Sequence, residues 1–311
     1  MLVVERYDQV QDEARGAVLA IGNFDGVHRG HRVLFETVTR VARAHGRPAG
    51  VLMFEPHPRE FFKPAEPNFR LTSLSEKLAI FDELGLDLAI VLPFDEALSK
   101  RDADAFVAEV LVGALAVSHV VIGYHFFFGR NRSGSAETLK EAGAKYGFGV
   151  TVVAPVADDG EIFSSTAIRL KLAEGNVRGA AAALGRPWRV AGRVVGGAKR
   201  GTGLGFPTAN VPMRPGTALG HGIYAVRVRV DGEGEALDGA AYLGTRPTFD
   251  NGAPVLEVFL LDFDGDLYGR EIEVSFVDRV RGDRKFASAE ELVRQMTADC
   301  DKAREILAAT A

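Results

Sequence analysis

The chain has 311 residues with a single cysteine, no long apolar run and no large excess of either charge. Cys300 alone excludes an internal disulfide, and no Cys-rich zinc pattern is present. No apolar stretch approaches the roughly 20 residues of a membrane span, so no spanning helix and no membrane partner are expected. The start, Met1-Leu2-Val3-Val4-Glu5-Arg6, is soon interrupted by charge and does not read as a signal peptide. A cytoplasmic location is the expectation. A net charge of −5 argues against a surface that coats nucleic acid, although a local basic site is compatible with it. There is no internal repeat, no low-complexity tract and no Gly-x4-Gly-Lys-Ser/Thr motif. Any use of ATP is therefore not of the ordinary P-loop kind.

What is present points to a globular chain. With 47% hydrophobic and 25% charged residues its composition is ordinary, and its length suffices for two separate cores. Apolar runs at 18–21, 50–54, 88–92, 119–122 and 150–154 alternate with helical patterns near 31–45, 75–84, 102–115 and 135–146. Ser73 and Glu76 read as a capping box for the second of these helices. Continuous apolar strands, each followed by a helix, predict a parallel sheet covered on both faces, the Rossmann-like α/β class. Ligands of such sheets sit beyond the carboxyl ends of the strands. Two short helices are expected near 166–173 and 176–184, before Gly185-Arg186-Pro187 breaks the rhythm. Then 188–196, 222–230, 237–243, 254–263 and 271–280 read as strands between Gly, Asp and Pro turns. A last helix follows, capped by Ser288 and Glu291, with Leu292, Met296, Ala303 and Leu307 as its inner stripe. These features predict a small antiparallel β-barrel with a packed helix. The expected domains are residues 1–185 and 186–311.

Gly22-Asn23-Phe24-Asp25-Gly26-Val27-His28-Arg29-Gly30-His31 lies where the first strand meets the first helix. Free backbone N–H groups and the positive end of a helix dipole meet there, which favours an anion. Gly30 keeps side-chain bulk away between His28 and His31, which share one side of the first turn. Two imidazole donors beside bare backbone suit the triphosphate of a nucleotide, with Gly22, Asn23, Phe24 and Asp25 forming the turn. A tight turn with two surface histidines is the plainer alternative. Asp25 fits either a contact near the nucleotide and its metal or a turn residue before Gly26.

Ser164-Ser165-Thr166-Ala167-Ile168-Arg169 is the second cluster. Hydroxyls before a helix are ordinary N-caps, yet Arg169 projects from the same first turn, and that combination binds phosphate well. With the first motif, this pattern resembles the nucleotidyltransferase superfamily that moves AMP or CMP onto a phosphate. Residues 121–134 and Phe54-Glu55-Pro56-His57-Pro58-Arg59-Glu60 resemble its bacterial FAD-synthetase branch. The resemblance implies that His28 and His31 donate to the phosphoryl oxygens while Ser164, Ser165, Thr166 and Arg169 hold departing pyrophosphate. Phe126, Phe127 and Phe128 fit a flavin-stacking surface and a core strand end equally. His125 departs from the acidic or amide residue that the resemblance leads one to expect.

In the second half, six glycines fall between Gly192 and Gly205, with Lys199 and Arg200 among them. That run fits a loop or a phosphate cradle. In Phe206-Pro207-Thr208-Ala209-Asn210, Pro207 fixes the backbone and Thr208 and Asn210 project two oxygen ligands to one side. Together with substrate phosphates they suit Mg²⁺. Residues 205–210, 221–224, 244–249, 257–263 and 266–269, with Arg281 and Phe286, closely resemble the riboflavin kinase module. The resemblance implies that Glu257 is the base for the ribityl hydroxyl. A carboxylate among Val255, Leu256, Val258, Phe259 and Leu260 itself favours a cavity, a solvent-facing strand position being the alternative. Arg281 fits a flavin or phosphate contact, or plain surface charge. Phe259 replaces a common histidine, and Thr202 replaces a common arginine, whose charge Lys199 or Arg200 would supply.

The motifs cover nearly the whole chain, which is similar to the prokaryotic riboflavin kinase/FAD synthetase family. The resemblance implies that the C-terminal domain makes FMN from riboflavin with ATP and Mg²⁺. The N-terminal domain then adenylylates FMN to FAD. Riboflavin, FMN, FAD and ATP are the implied partners, and the oligomeric state is left open. A nucleotidyltransferase with another phosphate acceptor, and a flavin-storing protein, are the rival readings. Storage requires neither a metal site nor a base.

Overall fold

A computed structural model describes residues 1–7, 10–158, 160–196, 206–245 and 254–310. Contacts divide the chain into two units, Met1–Ser165 and Thr166–Ala311.

In the first unit β1 (Leu2–Val4), β2 (Val18–Ile21), β3 (Ala49–Glu55), β4 (Leu88–Pro93), β5 (His119–Gly123) and β6 (Gly149–Val153) form one sheet. Its order is β1-β4-β3-β2-β5-β6, and every pairing is parallel. Side chains alternate across it: Leu19, Ile21, Leu52 and Ile90 join the core on one face, Val18, Ala20, Val51 and Met53 that on the other. Both faces are covered, which is why the strands read as unbroken apolar runs. Each large aliphatic side chain buried this way contributes roughly 2 kcal/mol.

The helices Arg29–His45, Leu74–Glu83 and Ala136–Tyr146 form where periodicity predicts them, and the Ser73–Glu76 capping box is complete. The segment expected as a helix over 102–115 is a turn, Ala103–Ala105, running into a π-helical stretch, Phe106–Ala114. The helices Pro58–Phe62 and Glu96–Lys100 and the hairpin of β7 (Ala157–Asp158) and β8 (Glu161–Ile162) are too short to display a period. In the sheet, β2 lies between β3 and β5. Strand order reverses there, so the loops leaving β2 and β5 flank one crevice.

In the second unit β9 (Arg189–Arg193), β10 (Ala209–Pro212), β11 (Gly222–Val230), β12 (Glu233–Thr245), β13 (Pro254–Leu260) and β14 (Glu271–Gly282) are antiparallel. Their order is β10-β13-β12-β11-β14-β9, and a bridge between Val195 and Asn210 joins the two ends into a nearly closed barrel. Tyr224, Val226, Leu256, Val258, Val274 and Phe276 are buried along it. The helix Ala289–Ala308 packs Cys300, Ala303 and Leu307 against Ala225 and Ala240. Half of the anticipated capping box forms: Ser288 Oγ accepts from Glu291 N–H at 3.2 Å, but the Glu291 carboxylate accepts from Ala287 N–H and Arg284.

By contacts, the helices Ser165–Ala173 and Val177–Leu184 go with the barrel from Thr166 onward, ahead of the anticipated limit at 186. Arg279 donates to the Glu174 carbonyl at 3.0 Å, Gly220 N–H donates to Leu172 at 2.9 Å, and Arg178 pairs with Asp278 at 2.6 Å. Among the described residues no helix is long and apolar enough to cross a membrane.

Candidate functional site

The chain leaves β2 at Gly22 and enters the helix Arg29–His45 with His28 as its N-cap. Phe24 and Val27 take left-handed φ angles of 50° and 46° although both are buried. Such backbone persists only where packing over-determines it, and it concentrates at functional turns. Asp25 is buried and accepts from Leu71 N–H (3.0 Å), Thr72 N–H (3.1 Å) and the Thr72 hydroxyl (3.3 Å). Gly26 N–H donates to that hydroxyl at 2.9 Å. The Asp25 carboxylate thus ties the turn to residues 71 and 72.

His28 Nδ1 accepts from His31 N–H at 3.3 Å, which leaves the proton of a neutral ring on Nε2. The two imidazoles stack with centroids 3.6 Å apart. Burial pulls His28 down to about 4, with Asp25 opposing it more weakly. Burial also lowers His31, and the positive ends of His28 and Lys77 add to the effect. Near pH 7 both rings are neutral donors. A Cβ on Gly30 would sit 3.1 Å from His28 Nδ1, tight enough that the ring would have to give way by a few tenths of an ångström. His31 Nδ1 and Asn23 Oδ1 are buried and lack a hydrogen-bond partner among the described residues. An unsatisfied buried polar group costs about 1–3 kcal/mol, and two of them in one turn point to a ligand that supplies the missing partners.

A cleft of about 590 Å³ opens beside Gly22 and Asn23, and the loop His125–Arg132 after β5 lines its other side. The three phenylalanines divide their duties. Phe128 is buried, Phe126 stacks on it at 5.6 Å, and Phe127 is exposed with the Arg132 guanidinium 4.7 Å from its ring centre. Ser165 Oγ donates to the Asp25 carbonyl at 2.8 Å and opens the helix Ser165–Ala173. Ser164 precedes that helix, and Thr166 (exposed) and Arg169 (half-buried) lie in its first turn.

Two groups near the turn escape sequence reasoning. Lys77 is 3% exposed and donates to the Asn23 carbonyl at 3.3 Å. Arg70 forks between Glu55 (2.7 Å) and Glu60 (2.6 Å), which holds the Glu60 carboxyl below its usual range. A lysine on an amphipathic helix normally reads as solvated, and an arginine in an irregular loop carries no periodic signal.

In the second unit strand register assembles a row. Asn210 lies opposite Glu257, Glu257 opposite Tyr242, Tyr242 opposite Ile223, and Ile223 opposite Arg281. Directly opposed residues share a face, so five strands contribute to one line across the barrel wall. All but Asn210 border a cleft of about 340 Å³ that is also lined by Leu292, Met296 and Asp299 of the last helix. Glu257 is therefore at a cavity. The helix stripe splits accordingly: Leu292 and Met296 line the cleft, whereas Ala303 and Leu307 are buried. Arg281 is held by Asp299, Nε to Oδ1 at 2.9 Å and Nη2 to Oδ2 at 2.8 Å, and Gln295 donates to the same carboxylate at 2.9 Å. Thr208 also borders a second cleft of about 330 Å³, with Pro207, Asp266 and Tyr268. Gly205, like Lys199, Arg200 and Thr202, lies outside the described residues. No group of three His, Cys, Asp or Glu side chains able to hold a metal occurs among the described residues.

A parallel sheet with an anion-receptive turn at its switch point, followed by a barrel with a carboxylate-bearing cleft, defines a two-part class of nucleotide-handling protein. Comparison with known proteins specifies it. The family model described as FAD synthetase matches residues 10–167, and that described as riboflavin kinase matches residues 184–307. The bifunctional riboflavin kinase/FMN adenylyltransferase of Escherichia coli (strain K12) is 42% identical over 300 residues, 96% of each chain. That of Pseudomonas fluorescens is 40% identical over 312 residues, 100% of this chain and 99% of the other. Among solved structures, one described as a macrolide-efflux protein from Streptococcus pneumoniae matches with a TM-score of 0.84 and 29% identity. It covers 97% of this chain and 98% of its own. The chain belongs to the bifunctional riboflavin kinase/FMN adenylyltransferase family.

Proposed function

We propose that the chain phosphorylates riboflavin to FMN in its C-terminal part and adenylylates FMN to FAD in its N-terminal part. The observation that carries this reading is the presence of two chemically distinct clefts, one in each unit, in the order of the two matching families. The functional division proposed is 1–185 and 186–311.

In the kinase step the flavin ring enters the cleft bordered by Phe206, Phe259, Phe286, Leu292 and Met296. Glu257 accepts the proton of the ribityl hydroxyl as its oxygen attacks the γ-phosphorus of ATP and ADP departs. Arg281, fixed by Asp299, contacts flavin or phosphate. Pro207 sets the backbone before Thr208, and Gly205 is assigned to the nucleotide site by the resemblance of its motif. Thr208 and Asn210 are the ligands proposed for Mg²⁺. Their neutral oxygens suit an ion that arrives with ATP phosphates and completes its shell from them. When bound, Mg²⁺ spreads the charge of the transferring phosphoryl group.

In the adenylyl step an FMN phosphate oxygen attacks the α-phosphorus of ATP, and pyrophosphate leaves. His28 and His31 donate to the phosphoryl oxygens, Asn23 contacts the nucleotide, and Gly22, Phe24, Asp25 and Gly30 shape the turn. Ser164, Ser165, Thr166 and Arg169 hold the leaving pyrophosphate. Phe127 offers its exposed face to the flavin. Incubation with riboflavin, ATP and Mg²⁺, followed by chromatography, should yield FMN first and FAD later. Formation of neither product would refute the assignment.

A further inference from the structure

Lys77 is an anomaly that neither step above uses. Its side chain is almost wholly buried, a position an ammonium group occupies at a cost of several kcal/mol unless a counter-charge is at hand. Burial works against its charged form, and Glu55, Asp25 and Glu60 favour that form through space. The acids nearest in charge effect are otherwise engaged. Glu55 and Glu60 are clamped by Arg70, and Asp25 receives the backbone N–H groups of Leu71 and Thr72. What Lys77 does touch is the carbonyl of Asn23, at 3.3 Å. That residue stands at the turn where Phe24 is held at a positive φ, where the Asn23 amide oxygen lacks a partner among the described residues, and where the cleft of about 590 Å³ opens. The field of this ammonium reaches the turn, where it helps to lower His31, and a positive charge beside the turn favours whatever negative charge develops there.

Resting on the adenylyl-transfer reading, we propose that Lys77 is a positioning residue for that step. Its ammonium pins the Asn23 carbonyl from below, keeps the Gly22–His28 turn in its left-handed course, and lends its field to the phosphates. Lys77 makes no contact with the reacting atoms. Its effect falls on the transition state more than on ground-state binding, because the turn is already formed when ATP arrives.

The test uses the full chain with Lys77→Met and Lys77→Arg, and measures FAD formation from FMN and ATP beside FMN formation from riboflavin. Lys77→Met should lower kcat for FAD formation by about ten- to a hundredfold, as expected for a small misplacement of reacting groups. KM for ATP should change by less than about threefold, the pattern of an interaction made in the transition state. Riboflavin phosphorylation should stay within about twofold, which reports that the chain is folded, and Lys77→Arg should recover most of the lost kcat because it restores the charge. FAD formation by Lys77→Met at the parent rate overturns the proposal while sparing the reading beneath it. An equal fall in both activities, a loss confined to KM, or no recovery with Lys77→Arg overturns it too. Absence of FAD formation in the parent chain overturns the reading and the proposal together.

Discussion

The two units handle the same co-substrate with opposite means. In the first, the proposed phosphate site is built from neutral groups, His28, His31 and Asn23, at a turn after β2 where the Asp25 carboxylate is taken up by the backbone of residues 71 and 72. In the second, Glu257 borders a cleft on the barrel wall. The nucleophiles explain the difference. A phosphate monoester is already anionic near pH 7 and needs only charge neutralisation at the phosphorus that it attacks. An alcohol holds its proton far more tightly and needs a base in the transition state. Architecture follows the same division. Loops at the end of a parallel sheet present N–H groups, whereas a strand inside an antiparallel wall presents one side chain at a fixed height above the cleft.

Experiments can break this contrast or sharpen it. Chelation with excess EDTA should abolish both activities, because ATP enters either site with its cation, and residual FMN formation would count against Thr208 and Asn210 as ligands. Glu257→Gln separates the sites next: FMN formation should drop by about a thousandfold, within the range for loss of a general base, while FAD formation from added FMN persists. Loss of both activities together would contradict separate chemistry. His31→Ala is the mirror experiment. It should slow pyrophosphate release by about a hundredfold, as loss of one transition-state donor does, with riboflavin phosphorylation intact. The smallest effect concerns stability. Folding depresses His28 from its ordinary value to about 4, so the unfolded chain binds more protons between these limits and stability rises with pH there. That contribution is complete above about pH 6.5 and drains away towards pH 4, by about 2 kcal/mol between pH 7 and pH 5. Thermal unfolding of the parent and of His28→Asn across this range should show a shallower slope in the variant, in which the buried His31 still contributes.

Much of this was legible in the residues. Five strands of the parallel sheet stand where the apolar stretches fall, and four of them, β2 to β5, carry buried runs, because a strand buried on both faces has few polar positions. The Gly22–His31 stretch is visible as a turn carrying two neighbouring histidines because its chemistry is local. The π-helical course of Phe106–Ala114 was not legible, since its apolar pattern also fits an ordinary helix. Nor was the packing of residues 166–184 with the barrel, which depends on Arg279 reaching Glu174 from more than a hundred residues away. At the sites, the motifs name Glu257 as a base and leave Asp25 as a nucleotide or metal contact or a turn residue. The apolar neighbours of Glu257 already favour a cavity, and the fold adds that the Asp25 carboxylate is engaged by the backbone of residues 71 and 72.

The chain by itself determined where most strands and the longer helices fall, because periodicity, caps and glycine placement act between near neighbours. Tertiary structure alone decided that Lys77 lies beneath Asn23, that Asp299 steadies Arg281, and that Asn210, Glu257 and Tyr242 stand abreast. Those relations arise from pairing between distant segments, where one register among many buries the apolar faces, and no local pattern encodes which partner a polar group will meet.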